Sequence, residues 1–175
     1  MGLDMYLYSK VRKTAFKDED KNSPLHKAAE AEGLKDNAGR GNYGYVAIEC
    51  QAGYWRKANA IHNWFVHNVQ DGRDECQQAD VDISQIVALR ELCEKVIGTA
   101  KLIDVEEDGV QYKTVSNKEE VHALLPPVGG FFFGSTDVDQ WFIEDVKHTI
   151  EVCKHCEELT ARHGYDVEFS YRSSW

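Results

Sequence analysis

Hydrophobic residues alternate with polar ones at the start of the chain and again before its middle. Leu3, Met5 and Leu7 share one face of the segment 2–12, and a similar alternation runs through 45–51. A period of two is typical of a strand with one buried face. We therefore predict β-strands at 2–12 and 45–51.

Three more strands are predicted in the second half of the chain. Two short runs, 102–106 and 110–115, are separated by a turn that ends at Gly109, which predicts a β-hairpin. The segment 165–172 follows the break at Gly164 and is typical of a final strand.

Apolar residues recur every three to four positions elsewhere, which predicts helices. These are a short surface helix from Ser23-Pro24 to Gly33, and helices at 55–69, 83–97, 116 to 124 or 125, and 137–161. Capping-box signals open two of them, Asp82 with Gln85 and Ser116 with Glu119, and Thr136 with Asp139 resembles an ordinary N-cap at a third.

The order of these elements indicates an α+β fold. Helices and strands do not follow a βαβ rhythm, so we expect a mainly antiparallel sheet packed against three or four helices. A chain of 175 residues is the size of a single domain, and no linker or internal repeat divides it. Within it, 17–42 is interpreted as a variable insertion or lid, and 101–115 as the hairpin.

Composition and charge narrow the classes of function. The net charge of -10 argues against bulk nucleic-acid binding, and the acids form no long run that would indicate DNA mimicry. No apolar run approaches the ~18–20 residues of a membrane span, and the start of the chain lacks the features of a signal peptide. We therefore expect a cytoplasmic protein that has no membrane partner and whose cysteines are reduced. The sequence is compatible with a homo-oligomer.

The segment 54–62 has the strongest concentration of chemically active side chains. On a helix, Trp55, Asn59 and His62 fall on one stripe at the edge of the apolar arc, whereas Arg56 and Lys57 project elsewhere. One hypothesis is that Asn59 and His62 only tie the helix to a neighbouring backbone. The other is that the stripe lines a pocket, with both cations and the helix start meeting an anion.

A second candidate site precedes the last predicted helix. Phe133, Ser135 and Thr136 stand before a helix start, where free N–H groups can hold a phosphate. The same residue types also form an ordinary N-cap. Three adjacent phenylalanines, 131–133, cannot all face one core, so one of them is expected at a pocket or an interface.

A metal site is not expected. Cys153 and Cys156 form a single CxxC pair, and no second pair exists to complete the four ligands of a structural zinc. Buried thiols are the simpler interpretation. No nucleotide, dinucleotide or metalloprotease motif is present, so no cofactor is expected.

Three segments together resemble a family of small proteins encoded by bacteriophages and prophages. They are MGLDMYL at 1–7, GYWRKANAIHNWFV at 53–66, and GFFFGST at 130–136 with the ending YRSSW at 171–175. The likeness covers nearly the whole chain, apart from 17–42 and 101–115. It implies an accessory protein acting in the cytoplasm of an infected bacterium, and it implies no particular reaction.

These observations lead to one functional hypothesis and two alternatives. The first is a binding module for a small anionic ligand such as a nucleotide, with Trp55 or Phe133 stacking on the base and Arg56, Lys57, Ser135 and Thr136 holding phosphate. The alternatives are an enzyme that uses His62 as acid–base with Asn59 orienting it, and a protein inhibitor of a host defence enzyme.

Overall fold

The computed structural model describes residues 2–15, 23–34, 44–107 and 109–175. In these ranges the chain forms five α-helices and six β-strands. In chain order they are β1 (Asp4–Ala15), α1 (Pro24–Ala31), β2 (Gly44–Arg56), α2 (Asn59–Asn68), β3 (Ala79–Val81), α3 (Ile83–Thr99), β4 (Leu102–Glu107), β5 (Val110–Val115), α4 (Lys118–Leu124), α5 (Gln140–His163) and β6 (Val167–Ser174). The predicted α+β class is confirmed.

The main sheet has four antiparallel strands in the order β2-β1-β6-β3. Alternation of side chains carries Leu3, Met5 and Leu7 to one face, where each is at most 1% exposed. On the same face Tyr171 of β6 lies opposite Leu7 and stacks on Phe65 of α2, with ring centroids 3.9 Å apart. This face and the helices α2, α3 and α5 enclose the core.

The hairpin predicted at 101–115 is confirmed as the separate two-stranded sheet of β4 and β5. Its turn uses Gly109 at φ +79°, a left-handed conformation that costs glycine little. Strand β3 was not predicted, because three residues are too few to show a period.

The helix predicted at 55–69 begins later than its periodicity suggested. Trp55 and Arg56 belong to strand β2, where Trp55 lies opposite Met5 of β1. Lys57 then takes a left-handed conformation, φ 62°, and α2 starts at Asn59. The prediction that Trp55, Asn59 and His62 form one helical stripe is therefore wrong, because pairing in the sheet outweighs local helical periodicity.

The helix caps in the structure agree with some of the predicted caps and not with others. The capping box of Asp82 and Gln85 is confirmed at α3, and Ser23 caps α1. The N-cap expected at Thr136 is wrong. Asp139 is itself the N-cap of α5 and accepts from the backbone N–H groups of the next helical turn.

Helix α4 also starts later than expected, after Asn117. The expected box of Ser116 with Glu119 does not form there. The Ser116 hydroxyl donates instead to the carbonyl of Lys101, and the Asn117 side chain bonds the backbone of Thr99 and Lys101. Both side chains thus fasten the start of α4 to the junction between α3 and β4.

The insertion or lid predicted at 17–42 lies outside the described residues, apart from 23–34. In that part, α1 contributes no buried residue to the core. Among the described helices, none is both long enough and apolar enough to cross a membrane.

Candidate functional site

The turn between β2 and α2 sets the geometry of the site. The Lys57 N–H donates to the carbonyl of Leu3 at 2.8 Å, and the Asn59 N–H donates to the carbonyl of Lys57 at 2.8 Å. The second bond spans two residues around Ala58, whose φ -76° and ψ 65° are those of an inverse γ-turn. The turn therefore places Lys57 directly at the start of α2.

The start of α2 has no side-chain cap. Ala58 occupies the N-cap position and offers no acceptor. His62 N–H bonds the Ala58 carbonyl, but the N–H groups of Ala60 and Ile61 find no acceptor among the described residues. Ala60 and Ile61 are 4% and 1% exposed. The first N–H groups of a helix have no intrahelical partner, and here no side chain supplies one, so these two donors are open to water or to a ligand in the cleft that both residues line.

Asn59 joins the two segments that the sequence suggested as sites. Its side-chain amide donates to the carbonyls of Phe133, at 3.0 Å, and Ser135, at 2.7 Å. Between them Gly134 has φ +87°, and a Cβ there would lie 3.1 Å from Cβ of Lys57. The loop is therefore held against the Lys57 side chain at a point where no larger residue fits without displacement.

A cleft of ≈ 350 Å³ opens at this junction. Its walls come from the β2–α2 turn, the loop before α5, and the first two turns of α5. The lining residues are Arg56, Lys57, Ala58, Asn59, Ala60, Ile61, Gly134, Ser135, Asp137, Asp139, Trp141, Phe142, Asp145 and Val146. The cleft thus brings the unpaired N–H groups of α2 together with charged side chains of both signs.

The cationic wall consists of Arg56 and Lys57. The Arg56 side chain is 62% exposed and lies 4.0 Å from the Asp4 carboxylate. That carboxylate already accepts a hydrogen bond from the Tyr54 hydroxyl, which raises the pKa of Tyr54. Lys57 forms no ion pair within the described residues. Both cations are therefore available to an anion in the cleft.

The α5 side of the cleft carries Asp145, which lies one helical turn after Trp141. Burial and, to a smaller extent, the nearby carboxylates of Asp139 and Glu144 together raise the pKa of Asp145 from its usual acidic range to about 7. At neutral pH this group exchanges its proton readily. Such a shift in a cleft is typical of a functional position, although buried charges can also be structural.

Trp55 lies outside the cleft. It is 2% exposed, and its indole N–H donates to the Thr149 hydroxyl at 2.9 Å. The ring lies across Gly53, where a Cβ would come within 2.8 Å of it. Trp55 is therefore a core residue with a satisfied polar atom, and in this structure it offers no ring face to a ligand.

His62 is also fully buried. Its Nδ1 lies 2.8 Å from the Tyr171 hydroxyl, and its Nε2 lies 3.0 Å from the Asp74 carboxylate. A tautomer with the proton on Nε2 satisfies both contacts. Asp74 also accepts from the indole N–H of Trp175. The network ties α2 to β6 and to the end of the chain, and His62 does not line the cleft.

The eight ligand-binding residues suggested by the sequence divide into two groups. Four line the cleft: Arg56, Lys57, Asn59 and Ser135. The others do not: Trp55 and His62 are in the core, Phe133 is 8% exposed with its ring against His62, and Thr136 is exposed beyond the lining. Of the three phenylalanines, Phe131 is the one that faces solvent, at 95% exposure.

Sequence reasoning missed the α5 side of the cleft. Trp141, in the first turn of α5, is 68% exposed. Asp145 lies between the buried positions Phe142 and Thr149, at spacings of three and four residues. An acidic residue at the edge of an apolar helical stripe was the signal that would have indicated it.

The cysteines behave as buried thiols. Cys93, Cys153 and Cys156 are each at most 2% exposed. Burial raises the pKa of Cys93 and of Cys156 to about 12, and it raises that of Cys153 further. Such thiols stay protonated, whereas metal binding and nucleophilic chemistry need the thiolate. Within the described residues no group of three or more potential ligands is arranged to hold a metal ion.

Comparison of the chain with protein-family models, with curated proteins and with solved structures gives no match.

Proposed function

We propose that this chain is a binding module for a small anionic ligand, which it holds in the cleft at the start of α2. The observation that carries the proposal is the pair of unpartnered N–H groups of Ala60 and Ile61 beside the Lys57 side chain. An anion that accepts from both groups would satisfy donors that the protein leaves open. The positive end of the helix dipole and the charge of Lys57 would add to its binding.

The size and chemistry of the cleft favour a small ligand. A volume of ≈ 350 Å³ is near the lower end of the range for small-molecule sites. A phosphate or carboxylate suits Arg56, whose planar group can bind two oxygens at once. If the ligand is a nucleotide, the ring available for stacking is that of Trp141, because Trp55 and Phe133 are buried.

The resemblance of the sequence to a family encoded by phages and prophages supports a cellular setting for this binding. The module would act in the cytoplasm of an infected bacterium, and its ligand would be a host metabolite or signal. Protein purified after expression in a bacterium, then denatured and extracted, should release a phosphate- or carboxylate-bearing compound detectable by mass spectrometry. Extracts of a Lys57→Gln variant should contain less of it.

A direct test uses calorimetric titration with inorganic phosphate, ethyl phosphate and adenosine monophosphate. At least one should bind, and Lys57→Gln should weaken it about five- to tenfold because one charge-assisted contact is lost. The matched control is Lys147→Gln, since Lys147 lies on α5 outside the cleft and pairs with Glu144. A flat response to every probe, or equal loss in both variants, would contradict the proposal.

A further inference from the structure

Anion binding does not explain the Asp145 carboxylate in the lining of the cleft. It is partly buried, yet it has no hydrogen-bond or ion-pair partner in the part of the chain that the structure describes. The nearby charges that act on it are the carboxylates of Asp139 and Glu144. Its oxygens reach the solvent of the cleft, since neither is among the buried polar atoms that lack a partner. A partly desolvated carboxylate beside like charges is stabilised when a cation or a proton joins it.

The two cations of the cleft do not meet this need. No ion pair joins Arg56 or Lys57 to Asp145 among the described residues, and both cations come from the β2–α2 turn, whereas Asp145 comes from α5. The α5 side adds Asp137 and Asp139 to the lining. The cleft therefore has a cationic wall with free N–H donors and an anionic wall with an unpartnered acceptor.

We infer that the ligand is dipolar: besides the anionic group held at the start of α2, it carries a protonated amine that binds Asp145. This inference rests on the proposed function and narrows it to amine-bearing phosphates or carboxylates. A polyphosphate is disfavoured, because its extended negative charge would meet three aspartates. A dipolar ligand places each of its charges against the wall of opposite sign.

Trp141 fits the same ligand. It precedes Asp145 by four residues on α5, so the two side chains lie on one face of the helix, and both line the cleft. Its ring is 68% exposed. An ammonium group bound to Asp145 could contact the face of this ring, and indole is the most favourable aromatic partner for a cation.

The test compares aminoalkyl phosphates with two, three and four carbons against the alkyl phosphates of the same length. Calorimetric titration at pH 8 is suitable, because Asp145 is then mostly ionised. At least one aminoalkyl phosphate should bind about tenfold more tightly than its alkyl partner, as expected for one added charge-assisted contact. The range of lengths covers the unknown spacing of the two charges in the natural ligand.

The Asp145→Asn variant should remove this advantage and leave the affinity for alkyl phosphate equal or higher. Asparagine keeps the shape of the side chain but has no charge. The matched control is Glu144→Gln, because Glu144 is 61% exposed and does not line the cleft. That variant should keep the roughly tenfold advantage. Circular dichroism verifies that both variants are folded.

Measuring the affinity ratio of aminoalkyl to alkyl phosphate over a series of pH values provides a second test of the role of Asp145. The charged groups around Asp145 are Arg56, Lys57, Asp137 and Asp139 in the cleft, and Glu144 beside it on α5. The advantage of the aminoalkyl phosphate should grow as pH rises through about 7, where Asp145 loses its proton. The ammonium group lowers the second pKa of the phosphate in the aminoalkyl member, so the same pH series is measured on Asp145→Asn, whose ratio gives the part of the trend that the ligands alone produce.

The outcomes separate this inference from the proposed function. If aminoalkyl and alkyl phosphates of every length bind equally well, or if Asp145→Asn keeps the advantage, the dipolar ligand is refuted and anion binding stands. If none of the phosphates binds, both are refuted. A tenfold advantage that disappears only in Asp145→Asn supports both.

Discussion

At Gly134 the backbone adopts a conformation that other residues rarely take, and the space above it is already filled. Its φ is +87°, and a Cβ would lie 3.1 Å from Cβ of Lys57. Gly72 shares the left-handed conformation, φ +76°, but a Cβ there would meet nothing within 4 Å. The two glycines therefore separate the cost of backbone strain from the cost of displacing Lys57.

Gly72→Ala should lower the free energy of unfolding by about 1 kcal/mol, the cost of alanine at a positive φ. Gly134→Ala should lower it by about 1–2 kcal/mol more, because the Lys57 side chain must move. Urea unfolding monitored by tryptophan fluorescence measures both. Equal losses in the two variants would show that the contact with Lys57 is unimportant.

Tyr171→Phe tests the internal role of His62. Removal of the Tyr171 hydroxyl leaves the buried Nδ1 of His62 without its partner, which should cost about 1–2 kcal/mol of stability. The control is Tyr6→Phe, whose ring packs on Tyr8 and Tyr54. Affinity for phosphate probes should stay unchanged in both variants. A loss of binding in Tyr171→Phe would instead connect the network to the cleft.

Single residues of the site could be recognised from the sequence where the side chain's own charge was a sufficient signal. Arg56 and Lys57 suggested an anion from their charge alone, and both line the cleft. His62 and Trp55 suggested a pocket equally well, yet both are buried. Whether such a side chain faces solvent or core depends on residues far along the chain, such as Tyr171, which no local pattern identifies.

At the scale of single elements, the start of α5 offers a matched pair of carboxylates. Asp139 caps the helix by accepting from the N–H groups of Trp141 and Phe142. Asp137 is exposed two residues earlier, and both side chains line the cleft. Replacing either one removes the same charge, so a difference between the two variants isolates the cap.

Asp139→Ala should lower the free energy of unfolding by about 1 kcal/mol, within the usual range for an N-cap carboxylate. Asp137→Ala should change it by less than about 0.5 kcal/mol, as is usual for exposed positions. Thermal melting followed by circular dichroism at 222 nm gives the comparison. Similar losses would mean that another group can replace the cap.

The boundary of α3 was predicted well because its local cap forms, whereas boundaries were predicted poorly where the capping side chains bond elsewhere or where strand pairing decides. Asp82 and Gln85 identified the start of α3 because the capping box forms within four residues. The boundary between β2 and α2 depends on pairing of Trp55 with Met5, 50 residues away, and on the left-handed Lys57. Helical periodicity continued through this boundary, so the sequence alone extended α2 too far.

At the scale of the whole molecule, the hydrophobic periodicity of the segments was sufficient to predict the class of fold. It was not sufficient to predict the cleft. Its assembly depends on the Asn59 amide reaching the carbonyl of Phe133, 74 residues away along the chain. It also depends on α5 presenting Asp145 to the same space. Contacts of this kind are set by the sheet order β2-β1-β6-β3 and by helix packing, which local sequence patterns do not encode.

The pH dependence of global unfolding reports on the anionic wall of the cleft. The folded protein raises the pKa of Asp145 to about 7, whereas an aspartate in an unfolded chain titrates near ~3.9. Between these values the folded state binds more protons than the unfolded state, so Asp145 makes stability fall as pH rises. Below this window the group has no such effect, and above it the loss is complete.

Asp145→Asn should therefore raise the free energy of unfolding at pH 8 by on the order of 1–3 kcal/mol, given that solvent in the cleft screens part of the effect. The gain should shrink as pH falls below 7 and vanish below about pH 4. Glu144→Gln, at an exposed position, should give no comparable trend. Urea titrations at pH 4, 6 and 8 measure the effect. A gain independent of pH would mean that the folded protein does not perturb Asp145, and would remove the electrostatic reason for pairing it with a cation.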